Sequence, residues 1–318
     1  MSPAELLATN LLSPMVLAFA LGMIATLLRS DLKLPEGLYT SLSIYLLFAI
    51  GLKGGVALSQ STPADLWKPA LATVVLGVVT AYFAFLVAQR IGKLDTTDAA
   101  AMAAHYGSVS AVTFIAALNF AEAQGFKIEG TMPAFVALME IPAIMIGLGL
   151  AGKQLSTSRR EMVRELLTGK TILLLIGGLL IGLVSGAEGV KQVTPLFGDL
   201  FKGALTIFLL EMGLVAAERF DDIKKHAKFL VSYGICVPLF NGTLGVAAGT
   251  LAGLSVGGSG ILGAMAASAS YIAAPAAVRM ALPKANPSLY LAGALGITFP
   301  FNLIFGIPIY MQLAKWMH

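Results

Sequence analysis

The chain has 318 residues, 57% of them hydrophobic and only 12% charged, with a mean hydropathy of +0.84 and a formal net charge of +4. That balance lies outside the range of soluble domains and excludes an ordinary water-soluble enzyme; it reads as a multispan membrane protein. The basic excess forms no patch interleaved with aromatics, which argues against nucleic acid, and a single cysteine leaves no disulfide framework and no cysteine metal site. Cys236, in an apolar stretch, is expected to be a small buried hydrophobe. No basic segment with a cleavage site precedes the first apolar run, which follows Glu5 and reads as a span rather than a removable signal.

Crossing about 30 Å of hydrocarbon takes roughly 18 to 25 apolar residues of helix. Ten such runs follow one another near 11–28, 37–58, 69–90, 99–121, 132–151, 171–186, 198–217, 229–253, 258–280 and 288–313. The sixth is short, and Gly or Pro interrupts several others. Their order repeats. A span from Pro14, a link ending in Leu34-Pro35 and a span closing on Gly51-Leu52 return about 160 residues later as a span from Ile172, a link ending in Thr194-Pro195 and a span closing on Gly213-Leu214. Ser108 and Ser110 then answer to Ser268 and Ser270, and the proline of Met-Glu-Ile-Pro at Pro142 to that of Ile-Thr-Phe-Pro at Pro300. One nearly constant offset along the chain means duplicated architecture, with units of 1–158 and 159–318.

The basic residues assign the sides. Links after odd-numbered spans hold fifteen of the 21 Lys and Arg, among them Arg29, Arg90, the run from Lys153 to Lys170, Arg219, Lys224, Lys225 and Arg279. The opposite links hold five, Lys68, Lys127, Lys191, Lys202 and Lys315, and Lys53 lies within a span, where snorkelling to an interface is expected. By the positive-inside rule the first group is cytoplasmic and both termini face outward. Five spans per unit is an odd number, so the second unit enters the membrane from the opposite side and the repeats are inverted. Such repeats place substrate near the midplane. Trp67 and Trp316 flank spans as interfacial anchors.

The fourth and ninth runs carry the chemistry. Ala104 to Thr113 and Ala266 to Pro275 are dense in small residues and hydroxyls at the depth that least tolerates polarity. Hydroxyls at i and i+2 do not share a helix face. If Ser108 and Ser110, or Ser268 and Ser270, serve one ligand, the chain there is broken or extended. The freed half-helix N-termini suit an anion, and freed carbonyls with hydroxyls suit a hard cation such as Na⁺. The competing reading is that the small residues permit close packing and the serines bond back to the preceding turn. Glu140, Glu211 and Asn302 are further intramembrane polar candidates. His105 reads as hydrogen-bonded rather than as a proton relay, and His105, His226 and His318 are too scattered for a metallohydrolase. No phosphate-binding loop motif occurs, so an ion gradient is the expected energy source.

At these residues the chain resembles the SbtA-type sodium-dependent bicarbonate transporters. The resemblance rests on Ser-Ala-Ser-Tyr-Ile-Ala-Ala-Pro-Ala-Ala-Val-Arg from Ser268 to Arg279, on Pro283 to Tyr290, on Gly296 to Asn302 and on Gly306-Ile307-Pro308. In the first half it rests on Ile50 to Gly55, Gly107-Ser108-Val109-Ser110 and Glu140-Ile141-Pro142-Ala143. It implies an all-α integral membrane fold of ten helices in two inverted five-helix repeats, with a gate domain of spans 1, 2, 6 and 7. Spans 3–5 and 8–10 then form a core domain with broken helices, and the assembly is a homotrimer. It implies a multi-pass protein of a bacterial plasma membrane. Substrate contacts are carried over to Ser108, Ser110, Thr113, Ser268, Ala269 and Ser270, and Na⁺ candidates are Gly107, Ser110, Ser270, Glu140 and Asn302. The link from Gly152 to Lys170 is short, whereas members that bind a PII-like regulatory protein carry a longer segment there, which counts against that partner. Membrane lipids are the remaining expected partners, and no enzymatic cofactor is expected.

Na⁺-coupled bicarbonate symport is therefore the leading expectation. A sodium symporter for another small monoanion or a cation/proton antiporter keeps the same fold with different cargo. A non-transporting receptor or scaffold, recruiting a partner through its basic links, is a reading from another class.

Overall fold

The computed structural model describes residues 3–60, 63–220 and 227–318, so Lys224, Lys225 and His226 lie outside the described residues. Among the described residues every regular element is helical. The chain opens with α1 (Pro3–Leu11) and α2 (Pro14–Leu27), the latter capped by the Ser13 hydroxyl with proline at its first position. Then come α3 (Glu36–Ser59) and α4 (Pro63–Leu86), which runs on through a π-helical turn at Val87–Ile91. Next are α5 (Thr96–Gly107), capped by Asp95, α6 (Ala111–Ala123) and α7 (Met132–Gly149). The link between the halves holds α8 (Arg159–Thr168), closed by a capping box of Ser158 and Glu161. Beyond it lie α9 (Lys170–Lys191), α10 (Phe201–Glu218), α11 (Ala227–Leu251), α12 (Val256–Ala266), α13 (Ala273–Ala281) and α14 (Pro287–Met317).

Seven helical stretches among the described residues are long and apolar enough to cross a bilayer. The other three expected spans fall on shorter or more polar helices. They are the 14-residue α2, the 11-residue α12, and the 18-residue α10, which carries Lys202, Glu211 and Glu218. The sixth run, short in the sequence, falls on α9, which extends 22 residues to Lys191 and departs from helical backbone only at Gly186, whose φ of 62° is left-handed.

Two helix pairs are built on direct backbone contact. α3 lies along α9 with Gly51 against Gly178 and Gly55 against Gly182. α2 lies along α10, where a Cβ at Gly22 would collide with the Leu210 carbonyl and one at Gly213 with the Phe19 carbonyl. Small residues at such seams let helices approach closely where lipid supplies no hydrophobic driving force. A second group contains α4, α5 and α7, with α11, α12 and α14 joined to it through α4 and α6. Its centre is the stretch 96–123, 94% buried over its most apolar 18 residues, against 22% for α9.

α14 is not uniformly wound. It holds π-helical turns at Ala292–Thr298 and Asn302–Gly306, and the Asn10 side chain of α1 donates from Nδ2 to the Leu303 and Ile304 carbonyls at 2.7 and 2.9 Å. A π turn leaves carbonyls off the regular ladder, and Asn10 satisfies two of them. Trp67 and Trp316 are exposed at helix ends, and the Lys53 ammonium lies 4.6 Å from the Phe201 ring centre. Cys236 corrects its expectation: it is exposed on the outer face of α11, not buried.

Candidate functional site at the crossing of two broken helices

The stretch 96–123 and the stretch 256–281 are both interrupted halfway. α5 stops at Gly107, which sits against the backbone of Ala81 in α4, leaving no room for a side chain. Ser108 and Ser110 are extended, with ψ of 163° and 112°, and α6 starts afresh under the Ser110 hydroxyl, which accepts the Thr113 N–H at 3.2 Å. In the other stretch α12 ends at Ala266, the chain is irregular through Ile272, and the Ser270 hydroxyl accepts the Ala274 N–H at 3.2 Å as α13 begins. Each break thus supplies its own cap for the helix that follows.

The breaks are bonded to each other. The Ser110 N–H donates to the Ser268 hydroxyl at 2.7 Å, and the Ser270 N–H donates to the His105 carbonyl at 2.8 Å. Asn302 of α14 joins them, donating to the Ala267 carbonyl at 2.7 Å while accepting from the Tyr310 hydroxyl at 3.3 Å. Ser108, Ser110, Thr113, Ser268, Ala269, Ser270, Asn302 and Glu140 are all buried. Backbone off the helical ladder at this depth is tolerable because protein surrounds it. The N-termini of α6 and α13 both begin here, bringing two positive helix ends to one place.

The buried polar atoms without a hydrogen-bond partner include the Ser108 Oγ, the His105 Nε2, the Tyr271 hydroxyl, the Glu140 Oε1 and the Glu211 Oε2. Ser108 belongs to the crossing itself. Glu140 stands apart from its hydrogen bonds and faces a cavity of about 200 Å³, lined by Glu165, Lys170, Thr171, Ile272 and Ala273. This cavity runs from the start of α13 toward the link rich in basic residues. On the opposite side of the crossing a smaller cavity of about 70 Å³ lies among Asn10, Ser13, Asn119, Gln124 and Leu303. Glu211, on α10, lies outside the hydrogen bonds of the crossing.

The sequence reading of His105 as hydrogen-bonded holds, but it misses the carbonyl role of His105 and the place of Tyr271. His105 contributes its backbone carbonyl, while its ring bonds to the Ala101 carbonyl at 2.7 Å and stacks on Tyr290. Tyr271 is buried next to Ser270, with its hydroxyl facing the Ser110 side chain without a well-formed hydrogen bond. Its signal was its place directly after Ser-Ala-Ser. Thr298 proves to be a fastener, bonded to the Tyr106 hydroxyl and the Gly234 carbonyl, each at 2.9 Å. No group of three His, Cys, Asp or Glu able to hold a metal ion occurs among the described residues.

The sequence profile of the Na⁺-dependent bicarbonate transporter superfamily matches residues 14–315. The comparison with curated proteins returned no match.

Proposed function

The chain belongs to the Na⁺-dependent bicarbonate transporter superfamily, and we propose that it is a symporter that carries bicarbonate with Na⁺ across the plasma membrane by alternating access. The observation that carries the proposal is the mutual hydrogen bonding of the two breaks, Ser110 to Ser268 and Ser270 to His105. Ten spans in two inverted units, 1–158 and 159–318, account for why two interruptions from opposite halves meet at one depth. In this reading α2, α3, α9 and α10 form the gate, and α4 to α7 with α11 to α14 form the moving core. Both termini lie outside and three copies assemble.

The positive ends of α6 and α13 face the anion, and the Ser108 hydroxyl, otherwise unpartnered, is a donor available to it. Na⁺ takes hydroxyl and carbonyl oxygens of Ser110, Ser270 and the backbone around Gly107, with Asn302 holding the second break in place. Each ion offsets the cost of desolvating the other. The larger cavity on the basic side supports a state tilted toward the cytoplasm.

The test is uptake of radiolabelled bicarbonate into proteoliposomes at alkaline pH, with an inward Na⁺ gradient compared against K⁺. Uptake should need Na⁺, and Ser110→Ala or Ser270→Ala should weaken apparent affinity by about tenfold or more, as for loss of one hydrogen bond to a charged ligand. Wild-type uptake and Na⁺ affinity in both variants would remove the site from the crossing. Glu140 favours a second reading, cation/proton exchange through the larger cavity. In that case Glu140→Gln abolishes a pH-driven flux and the wild-type protein shows no Na⁺-dependent bicarbonate uptake.

A further inference from the structure

The outer surfaces of α4 and α11 do not close on one another. Each helix turns its close-packing face elsewhere: Gly77 of α4 rests on Met139 of α7, and Gly245 and Gly249 of α11 rest on Gly263 and Ser259 of α12. Between them remains a furrow of about 590 Å³, floored by Ala72, Ala247 and Ala248 and flanked by Leu71, Val75 and Leu251. Beyond Val79 the two helices meet through Phe83 against Phe240, whose rings lie 4.0 Å apart. At the other end of the furrow stand Trp67 and Lys68.

We propose that this furrow is a binding site for one phospholipid with an acidic headgroup, its acyl chain lying along the alanine floor and its phosphate at Lys68. The dimensions match one leaflet: from Trp67 to Val79 the helix rises about 18 Å, against about 15 Å for half the hydrocarbon thickness. The charge is where the headgroup lies. Among the described residues Lys68 has the Trp67 ring, 5.7 Å from its ammonium, and no carboxylate partner. An indole and an ammonium side by side at a helix end suit the level of lipid phosphates. The inference is independent of the crossing and of the cargo.

The full chain, purified in mild detergent, should retain one acidic phospholipid per chain by native mass spectrometry, in excess of its share of the source membrane. Lys68→Glu should lower that retention at least fivefold, fivefold being about the effect of losing one basic side chain at a lipid surface. Lys191→Glu, exposed and far from the furrow, should leave it unchanged. Ala248→Trp, which fills the floor, should expel the lipid, with the unfolding temperature of the emptied protein showing that it still folds. Equal retention in Lys68→Glu and wild type overturns the proposal, as does retention of zwitterionic lipid without preference. Chain-to-chain cross-linking by Leu71→Cys in vesicles would instead make the furrow a face between copies and overturn it equally.

Discussion

α3 and α9 meet glycine against glycine along backbone that stays helical through Gly178 and Gly182, short of the kink at Gly186, whereas the two stretches that cross at Ser110 and Ser268 are interrupted at their midpoints. The continuous pair is the more exposed: α9 is 22% buried and 96–123 is 94% buried over comparable windows. An exposed membrane helix has to satisfy its backbone internally, so it cannot open in mid-span, and α9 departs from helix only at Gly186, near its end. A helix enclosed by protein can, because serines, a neighbouring carbonyl and an asparagine accept or donate what the opened turn releases. Rigidity and polarity are thereby sorted into different parts of one molecule, and the division matches the gate and core of the proposed mechanism.

The comparison breaks most visibly at the glycine seams. Gly213→Leu drives a side chain into the Phe19 carbonyl, and backbone cannot yield as a side chain can. The expected loss is about 3 kcal/mol of stability, read as a drop in unfolding temperature, and the pairing of α2 with α10 loosens with it. An unchanged unfolding temperature would mean that the seam is not tight. At the crossing Ser268→Ala should cost less stability, about 2 kcal/mol for leaving the Ser110 N–H buried without its acceptor. Its effect on uptake should be larger than its effect on stability, and the reverse order would make the crossing merely structural. The smallest effect lies outside both regions, at α8. There the Ser158 backbone N–H, and then the Thr157 and Ser158 hydroxyls, hold the Glu161 carboxyl below its ordinary pKa. A carboxyl depressed in the folded state stabilises above its unfolded pKa, and that contribution disappears as pH falls through the depressed value. Amide-exchange protection of α8, corrected for intrinsic rates, should decline in that acidic window, and Glu161→Gln should remove the pH dependence without affecting the spans.

Much of the crossing was legible because its signal is local. Two hydroxyls at i and i+2, twice, cannot serve one ligand from a regular helix, and the breaks lie where that spacing requires. Burial was harder to read. A membrane helix is apolar all round, so the periodicity that distinguishes inside from outside in a soluble protein is lost, and Cys236 fell on the wrong side for that reason. The π turns of α14 left no mark in composition, and with them went the Asn10 clasp, which joins residues nearly three hundred positions apart. Apolar runs also overstate helix length: α2 is shorter than its run because Ser13 with Pro14 starts it late, and α12 because the 267–272 break stops it early.

The link between the halves has little slack. The Ser156 N–H and hydroxyl both hold the Ala281 carbonyl, at 2.9 and 3.0 Å, and the hydroxyl also lies 2.8 Å from that of Met280, so the link is pinned to the far end of α13 before it winds into α8 and continues into α9. Core and gate in the proposed mechanism are thus tethered by a leash only one short helix long. Travel of α13 past α9 within the reach of that helix leaves the pin in place, and longer travel has to pull Ser156 free or unwind α8. The leash is a gauge built into the chain, and a reporter on Ser156 would register the length of the stroke without touching the ions.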